Sequence, residues 1–132
     1  MKKLLALLTI LALVIAVGAF AKDAGHSTAA AKTMSWTGEI LDAGCYIAHG
    51  AMGAKHTECA LKCASNGMPL MLMTKDGKAI LLTPNHDNPD AYNQLKTMAG
   101  SMATVTGTLA ERGGVKGIDV TAVAAAASTE AK

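Results

Sequence analysis

Apolar and polar residues alternate along several short stretches of this chain, and the alternation predicts β-strands. Between 35 and 42 the period is two, with Trp36, Gly38 and Ile40 on one face. Two later apolar runs are separated by Lys-Asp-Gly, and an Asp-Gly pair in that position predicts a hairpin. The five predicted strands are 35–42, 69–74, 78–83, 102–109 and 115–123.

Two segments between these strands have helical patterns instead. Segment 50–66 is predicted to be a helix that becomes regular near Ala54 and stops at Asn66-Gly67. Segment 90–99 is predicted to be a short helix closed by Gly100. Five strands with a helix between the third and fourth predict a mainly β fold, a small five-stranded OB-type barrel, with a Cys/His-bearing helix inserted after strand 1.

The two ends of the chain differ in composition from the segment that contains the strands. Residues 1–21 have a basic start, an apolar run and a small-x-small site, which predicts a secretory signal peptide. Residues 22–33 are expected to form a flexible tether, 34–123 the OB-like domain and 124–132 a disordered Ala-rich tail. We therefore expect a periplasmic or secreted bacterial protein with no stable membrane anchor after cleavage.

Charge and aromatic content argue against nucleic acid as a partner. The 12 basic residues include Lys2 and Lys3, so removal of the leader leaves a basic count equal to the 10 acidic residues. The mature chain keeps only Trp36, Tyr46 and Tyr92 as aromatic residues. Three aromatic residues are too few for a base-stacking platform, and a net charge of zero gives no indication of a nucleic-acid-binding surface.

The candidate chemistry is concentrated in one short stretch that contains all three cysteines, at 45, 59 and 63. On a regular helix, His56, Cys59 and Cys63 would share one stripe, with Cys45 reaching them from the preceding loop. A set of three thiolates and one imidazole suits tetrahedral zinc, and soft thiolates also bind copper(I). The predicted metal ligands are therefore Cys45, His56, Cys59 and Cys63, with zinc or copper(I) as the ion.

Two other uses of these cysteines remain open. A disulfide from Cys45 to Cys59 or Cys63 would staple the inserted helix to strand 1 and contribute about 2–4 kcal/mol. The protein would then be an OB-fold interaction domain with another exported protein as its partner. Alternatively, Cys59 and Cys63 would carry out thiol–disulfide exchange, which requires a thiol of depressed pKa. His56 separates these hypotheses, because only a metal site or an activated thiol needs it.

The strand motifs also resemble those of known proteins. Trp-Thr-Gly-Glu-Ile at 36–40, the run 78–82 and Ala-Thr-Val-Thr-Gly-Thr-Leu at 103–109 resemble small exported bacterial OB-fold proteins. The resemblance implies an OB barrel in an exported protein, and it does not imply a function, since OB folds serve many functions.

A narrower resemblance concerns the methionines of the second predicted strand, 69–74, and the residue before it. Met-Pro-Leu-Met-Leu-Met at 68–73 is similar to the Pro-x-Met-x-Met motif of periplasmic OB-fold copper(I) and silver(I) chaperones, with Met68 where those proteins have tryptophan. The resemblance implies Met71 and Met73 as thioether ligands on one strand face. The alternative is that both fill the core, as methionine commonly does.

Catalytic motifs are missing from the sequence. It has no Gly-x-Ser-x-Gly elbow, no phosphate-binding loop and no His-Glu-x-x-His pair. Asp42, close to Cys45, is a candidate for orienting a ligand from outside the first coordination sphere. The sequence thus predicts a metal-binding protein rather than an enzyme.

Overall fold

The computed structural model describes residues 32–126. No helix in this range has the length and apolar character that a membrane span requires. The elements, in chain order, are β1 Thr33–Asp42, α1 Ala43–His49, a single 3₁₀ turn Ala54–His56, α2 Thr57–Ser65, β2 Leu70–Thr74, β3 Ala79–Pro84, α3 Asp90–Lys96, β4 Met102–Arg112 and β5 Val115–Ala125.

The five strands form a closed barrel in the order β1-β2-β3-β5-β4, with β4 pairing back onto β1. All pairs are antiparallel except β3 with β5, which is parallel. The long strand β1 makes closure possible, because its first part pairs with β4 and its second part with β2. With α3 between β3 and β4, this is the predicted OB-type barrel, and the predicted fold class is confirmed.

Alternate residues of each strand fill the barrel. On β2 the inward side chains are Leu70 and Leu72, both fully buried, whereas Met71 and Met73 between them are only partly buried. Helix α3 closes the core with Leu95, which is also fully buried. Burial of these alternate side chains fixes the register of the strands, because a shift by one residue would expose the apolar face to water.

Two glycines let backbones approach each other inside the barrel. A Cβ on Gly38 would lie 2.0 Å from the carbonyl oxygen of Met73, and one on Gly107 would lie 2.2 Å from that of Asp119. The second glycine stands at the irregularity in the β4–β5 register between Thr106 and Gly107. Both positions therefore require glycine for a steric reason.

The segment after β1 differs from the single helix that the sequence predicts. Residues 43–49 form α1, so Cys45 lies on a helix and not in a loop. Gly50 ends α1 with φ of 66°, and Gly53 has φ of 80°, so the chain turns twice before α2 begins. Regular helix therefore starts at Thr57 instead of Ala54, and the structure has three short α-helices rather than two.

The inserted helix α2 is held against the barrel by small residues. Ala60 and Ala64 are buried in the core, and the Thr57 hydroxyl donates a hydrogen bond of 3.0 Å to the Gly100 carbonyl. A Cβ on Gly100 would lie 2.6 Å from the Thr57 Cα, so this close approach needs a glycine. The same contacts fix the position of the cysteines that α2 carries.

Several sequence predictions fall outside the described residues. The signal peptide 1–21, most of the tether and residues 127–132 of the predicted tail belong to this group. Within the described range, β1 begins at Thr33 and β5 continues to Ala125, slightly beyond the predicted domain limits of 34 and 123.

Candidate metal centre

Asp42 stands at the junction between the barrel and the inserted helices. It is the last residue of β1 and the N-cap of α1, and the residue as a whole is 1% exposed. Its Oδ1 accepts a hydrogen bond of 2.8 Å from the Cys45 backbone N–H. This cap fixes the first turn of α1 and thereby directs Cys45 toward α2.

The three cysteines come together where α1 faces α2. The Sγ atoms of Cys45, Cys59 and Cys63 all lie within 4.8 Å of one another, and those of Cys45 and Cys63 are 4.0 Å apart. A tetrahedral ion with bonds of about 2.3 Å places its sulfur ligands about 3.8 Å apart. The cluster can therefore hold a metal ion with little movement of its side chains.

His56 belongs to a second, overlapping group. Its imidazole, Cys45 and Asp42 each offer an atom within 4.8 Å of the other two, and Nε2 of His56 lies 2.9 Å from Oδ2 of Asp42. The predicted helical stripe of His56, Cys59 and Cys63 is thus incorrect in detail, because His56 precedes α2 as its N-cap residue. Cys45 is the residue that the two groups share.

The electrostatics of the centre keep Cys45 protonated when no metal is bound. Its hydrogen bond with the Asp42 carboxylate, together with burial, raises the pKa of the Cys45 thiol to about 12. Burial also raises the pKa of Cys63. For Asp42, burial raises the pKa, but the hydrogen bonds from Cys45 and His56 outweigh it and the net pKa is lowered. Metal binding would have to displace the thiol protons.

Access to the centre differs among the three thiols. Cys59 is exposed, whereas Cys45 and Cys63 are half-buried. The side chain of His56 is 18% exposed and that of Asp42 is fully buried. Cys59 is therefore the thiol most accessible from solvent, whereas the Asp42 carboxylate is enclosed.

All three cysteines are free thiols in this structure. The 4.0 Å between the Cys45 and Cys63 sulfurs compares with about 2.05 Å in a disulfide. The predicted disulfide staple is therefore not formed here, although the sulfurs of the two helices are neighbours.

The combination of Cys45, His56 and Asp42 contains the residue types of a thiol nucleophile, a base and an orienting carboxylate. Their arrangement differs from that of a catalytic triad, where histidine lies between the other two. Here Asp42 lies in the middle and hydrogen-bonds to both partners. This geometry raises the thiol pKa instead of lowering it, so it suits an outer-sphere role for Asp42 better than nucleophilic catalysis.

Other candidates from the sequence lie apart from these groups. Met71 and Met73 share the outer face of β2, where they pair with Leu41 and Glu39 of β1. Neither methionine is in the fully buried core. His49, which is exposed at the end of α1, is not part of either group of candidate ligands within the described residues.

The sequence contains a local signal for Asp42 as the N-cap of α1, but none for its contact with His56. An Asp three residues before Cys45 matches an N-cap at the start of a short helix that ends before Gly50. That pattern indicates α1. The contact with His56, fourteen residues later, has no local signal and depends on how α2 packs.

Comparisons with protein-family models and with curated proteins found nothing that matches this chain.

Proposed function

We propose that this chain is an exported metal-binding protein that holds one zinc or copper(I) ion through Cys45, Cys59 and Cys63, with His56 beside them. The observation that carries the proposal is the mutual approach of the three Sγ atoms within 4.8 Å. Thiolate ligands in this number select soft or borderline ions. The role is structural support of the inserted helices or carriage of the ion, and it includes no catalytic step.

The two candidate ions would use His56 differently. Three thiolates complete a trigonal copper(I) site without further ligands, and His56 then stays paired with Asp42. Zinc prefers four ligands, so it would recruit His56, with Asp42 orienting the imidazole from outside, or a water molecule. Replacement of His56 should therefore weaken zinc binding more than copper(I) binding.

A second candidate function is thiol–disulfide exchange, favoured by the neighbouring sulfurs of Cys45 and Cys63. In this reaction the two thiols would lose two electrons and two protons to a disulfide of another protein, which would be reduced to two thiols. The raised pKa of Cys45, about 12, argues against a fast exchange reaction, since thiolates are the reactive form.

Native mass spectrometry of protein purified from the exported fraction, without chelator or reductant, tests these hypotheses together. We expect a mass that corresponds to cleavage after Ala21 plus one metal ion per chain. A metal-free mass lighter by two hydrogens would overturn the metal assignment in favour of a disulfide state. A mass of the full precursor would contradict export with cleavage.

Variants then assign the ligands. Cys59→Ser together with Cys63→Ser should abolish metal binding, and full retention of metal would refute the assignment. An unchanged far-UV circular dichroism spectrum of this variant would favour carriage, and a loss of helical signal would favour structural support. His56→Ala is compared with His49→Ala, which removes an exposed imidazole near the centre. The first should lower zinc affinity, by about 10–100-fold for a ligand or an orienting group, and the second should not.

A further inference from the structure

A second concave site lies in the part of the barrel formed by the beginning of β1. It is a cleft of about 490 Å³ where the start of β1, the β2–β3 turn and the adjoining ends of β4 and β5 meet. Small-molecule sites commonly occupy roughly 300–1,000 Å³. The cleft is lined by Ser35, Trp36 and Thr37, and Asp42 is five residues further along the same strand, about 17 Å if fully extended. The cleft is therefore separate from the cysteines.

The apolar part of the cleft is built from the barrel itself. Trp36 packs against the hydrophobic core and contributes the only indole of the chain. Ile80, which is 6% exposed, and Leu109, which is 41% exposed, also line the cleft. A half-buried indole beside aliphatic side chains offers a flat apolar surface for a ring to stack on.

The polar part is dominated by ammonium groups. Lys75, Lys78 and Lys116 line the cleft together with one carboxylate, that of Asp76. Asp76 pairs with Lys78, and Lys116 lies 3.5 Å from Glu111. Within residues 32–126, Lys75 has no carboxylate partner within salt-bridge distance. The cleft therefore has an excess of positive charge and a cation available to a ligand.

The hydroxyl groups that β1 contributes to the cleft are already hydrogen-bonded to the neighbouring strand β4. Ser35 hydrogen-bonds to Thr106 at 2.7 Å, and Thr37 hydrogen-bonds to Thr104 at 2.8 Å. A sugar, which needs many hydrogen-bond partners, would find few free groups here. A flat apolar anion needs only the indole surface and the ammonium groups.

We propose that this cleft binds a small aromatic anion, whose ring lies against Trp36 and whose carboxylate or phosphate group contacts Lys75, Lys78 and Lys116. The site is independent of the metal centre, so either assignment can fail without the other.

The test is a calorimetric titration of the mature protein with 2-naphthoate, and with 2-naphthamide as a neutral ligand of matched shape. Naphthoate should bind at one site, with an affinity that falls as salt is added. The affinity for the amide should be lower by about tenfold or more, since the amide lacks the charged contacts with the ammonium groups. Amide binding as tight as naphthoate binding, or no naphthoate binding, would overturn the proposal.

Matched lysine variants locate the site. The triple variant Lys75→Gln, Lys78→Gln, Lys116→Gln should lose about tenfold or more in naphthoate affinity. The control carries Lys55→Gln, Lys62→Gln and Lys96→Gln, three lysines that do not line the cleft, and it should bind like the unmodified protein. Equal affinities for the two triple variants would refute the placement. Metal content measured on the same samples should be unchanged in both.

Discussion

Replacement of Asp42 tests whether one buried carboxylate organises the candidate centre. Its two oxygens have separate partners, the Cys45 backbone N–H at 2.8 Å and Nε2 of His56 at 2.9 Å. Asp42→Ala removes both hydrogen bonds. Asp42→Asn keeps an N-cap acceptor and loses the charge, so the two variants separate capping from the charged contact.

The magnitudes follow from the two contacts. Loss of an N-cap costs about 1 kcal/mol, and loss of a hydrogen bond to a charged group costs about 1.5–3 kcal/mol. We therefore expect Asp42→Ala to lower the free energy of unfolding by about 3 kcal/mol. Asp42→Asn should lower it by about 1 kcal/mol, because it keeps the cap and exchanges a charged hydrogen bond to His56 for a neutral one. In a domain of this size, 1 kcal/mol corresponds to a Tm change of about 4–8 °C. The alanine variant should melt at least about 10 °C below the unmodified protein.

The assay is urea and thermal denaturation, followed by far-UV circular dichroism, with chelator and reductant present so that neither metal nor disulfide contributes. Asp87→Ala serves as the control, because Asp87 is exposed and only its backbone takes part in a hydrogen bond. Equal stability of the alanine and asparagine variants, or a loss below about 0.5 kcal/mol for alanine, would refute the assigned role of the Asp42 side chain.

Two further predictions concern the barrel. Gly38→Ala should destabilise the protein by about 1–3 kcal/mol or more, because its Cβ would meet the Met73 carbonyl oxygen at 2.0 Å. Gly117→Ala is the control, because its Cβ would have its nearest neighbour at 3.7 Å, and it should change the free energy of unfolding by less than about 0.5 kcal/mol. Equal losses of unfolding free energy for the two variants in urea denaturation would contradict this reasoning. Lys78 and Thr74 lower the pKa of Asp76 from 3.8 to about 2, so its stabilising contribution is complete above pH 3.8 and lost as the pH falls through about 2. Carboxyl-detected NMR titration should give that midpoint, and a midpoint near 3.8 would refute the ion pair.

The strands could be predicted because their signals are local. In β4, Ala103 and Val105 alternate with Thr104 and Thr106, and the first two are fully buried. The Asp76-Gly77 pair predicts the β2–β3 turn, where Gly77 has φ of 77°. Period and turn chemistry act over a few residues, so they can be recognised without knowledge of the rest of the chain.

The inserted helices were predicted less accurately because their limits depend on single residues. Asp42 begins α1 as its N-cap and Gly50 ends it, but this helix has only seven residues. So short a helix gains little from intrinsic propensity and is stable only through its cap and its packing. The same applies to His56, which the helical period places on α2 and the structure places just before it.

The local patterns of the chain were enough to predict the number of strands, the barrel class and the residues with metal-binding chemistry. Three features depend on the packed fold: the parallel pairing of β3 with β5, the 4.0 Å between the sulfurs of Cys45 and Cys63, and the contact of His56 with Asp42. The same packing brings lysines of the β2–β3 turn and of β5 next to Trp36. Local patterns specify which face of a strand or helix is apolar. Contacts between distant residues arise only when those faces are packed around one core, and the candidate sites consist of such contacts.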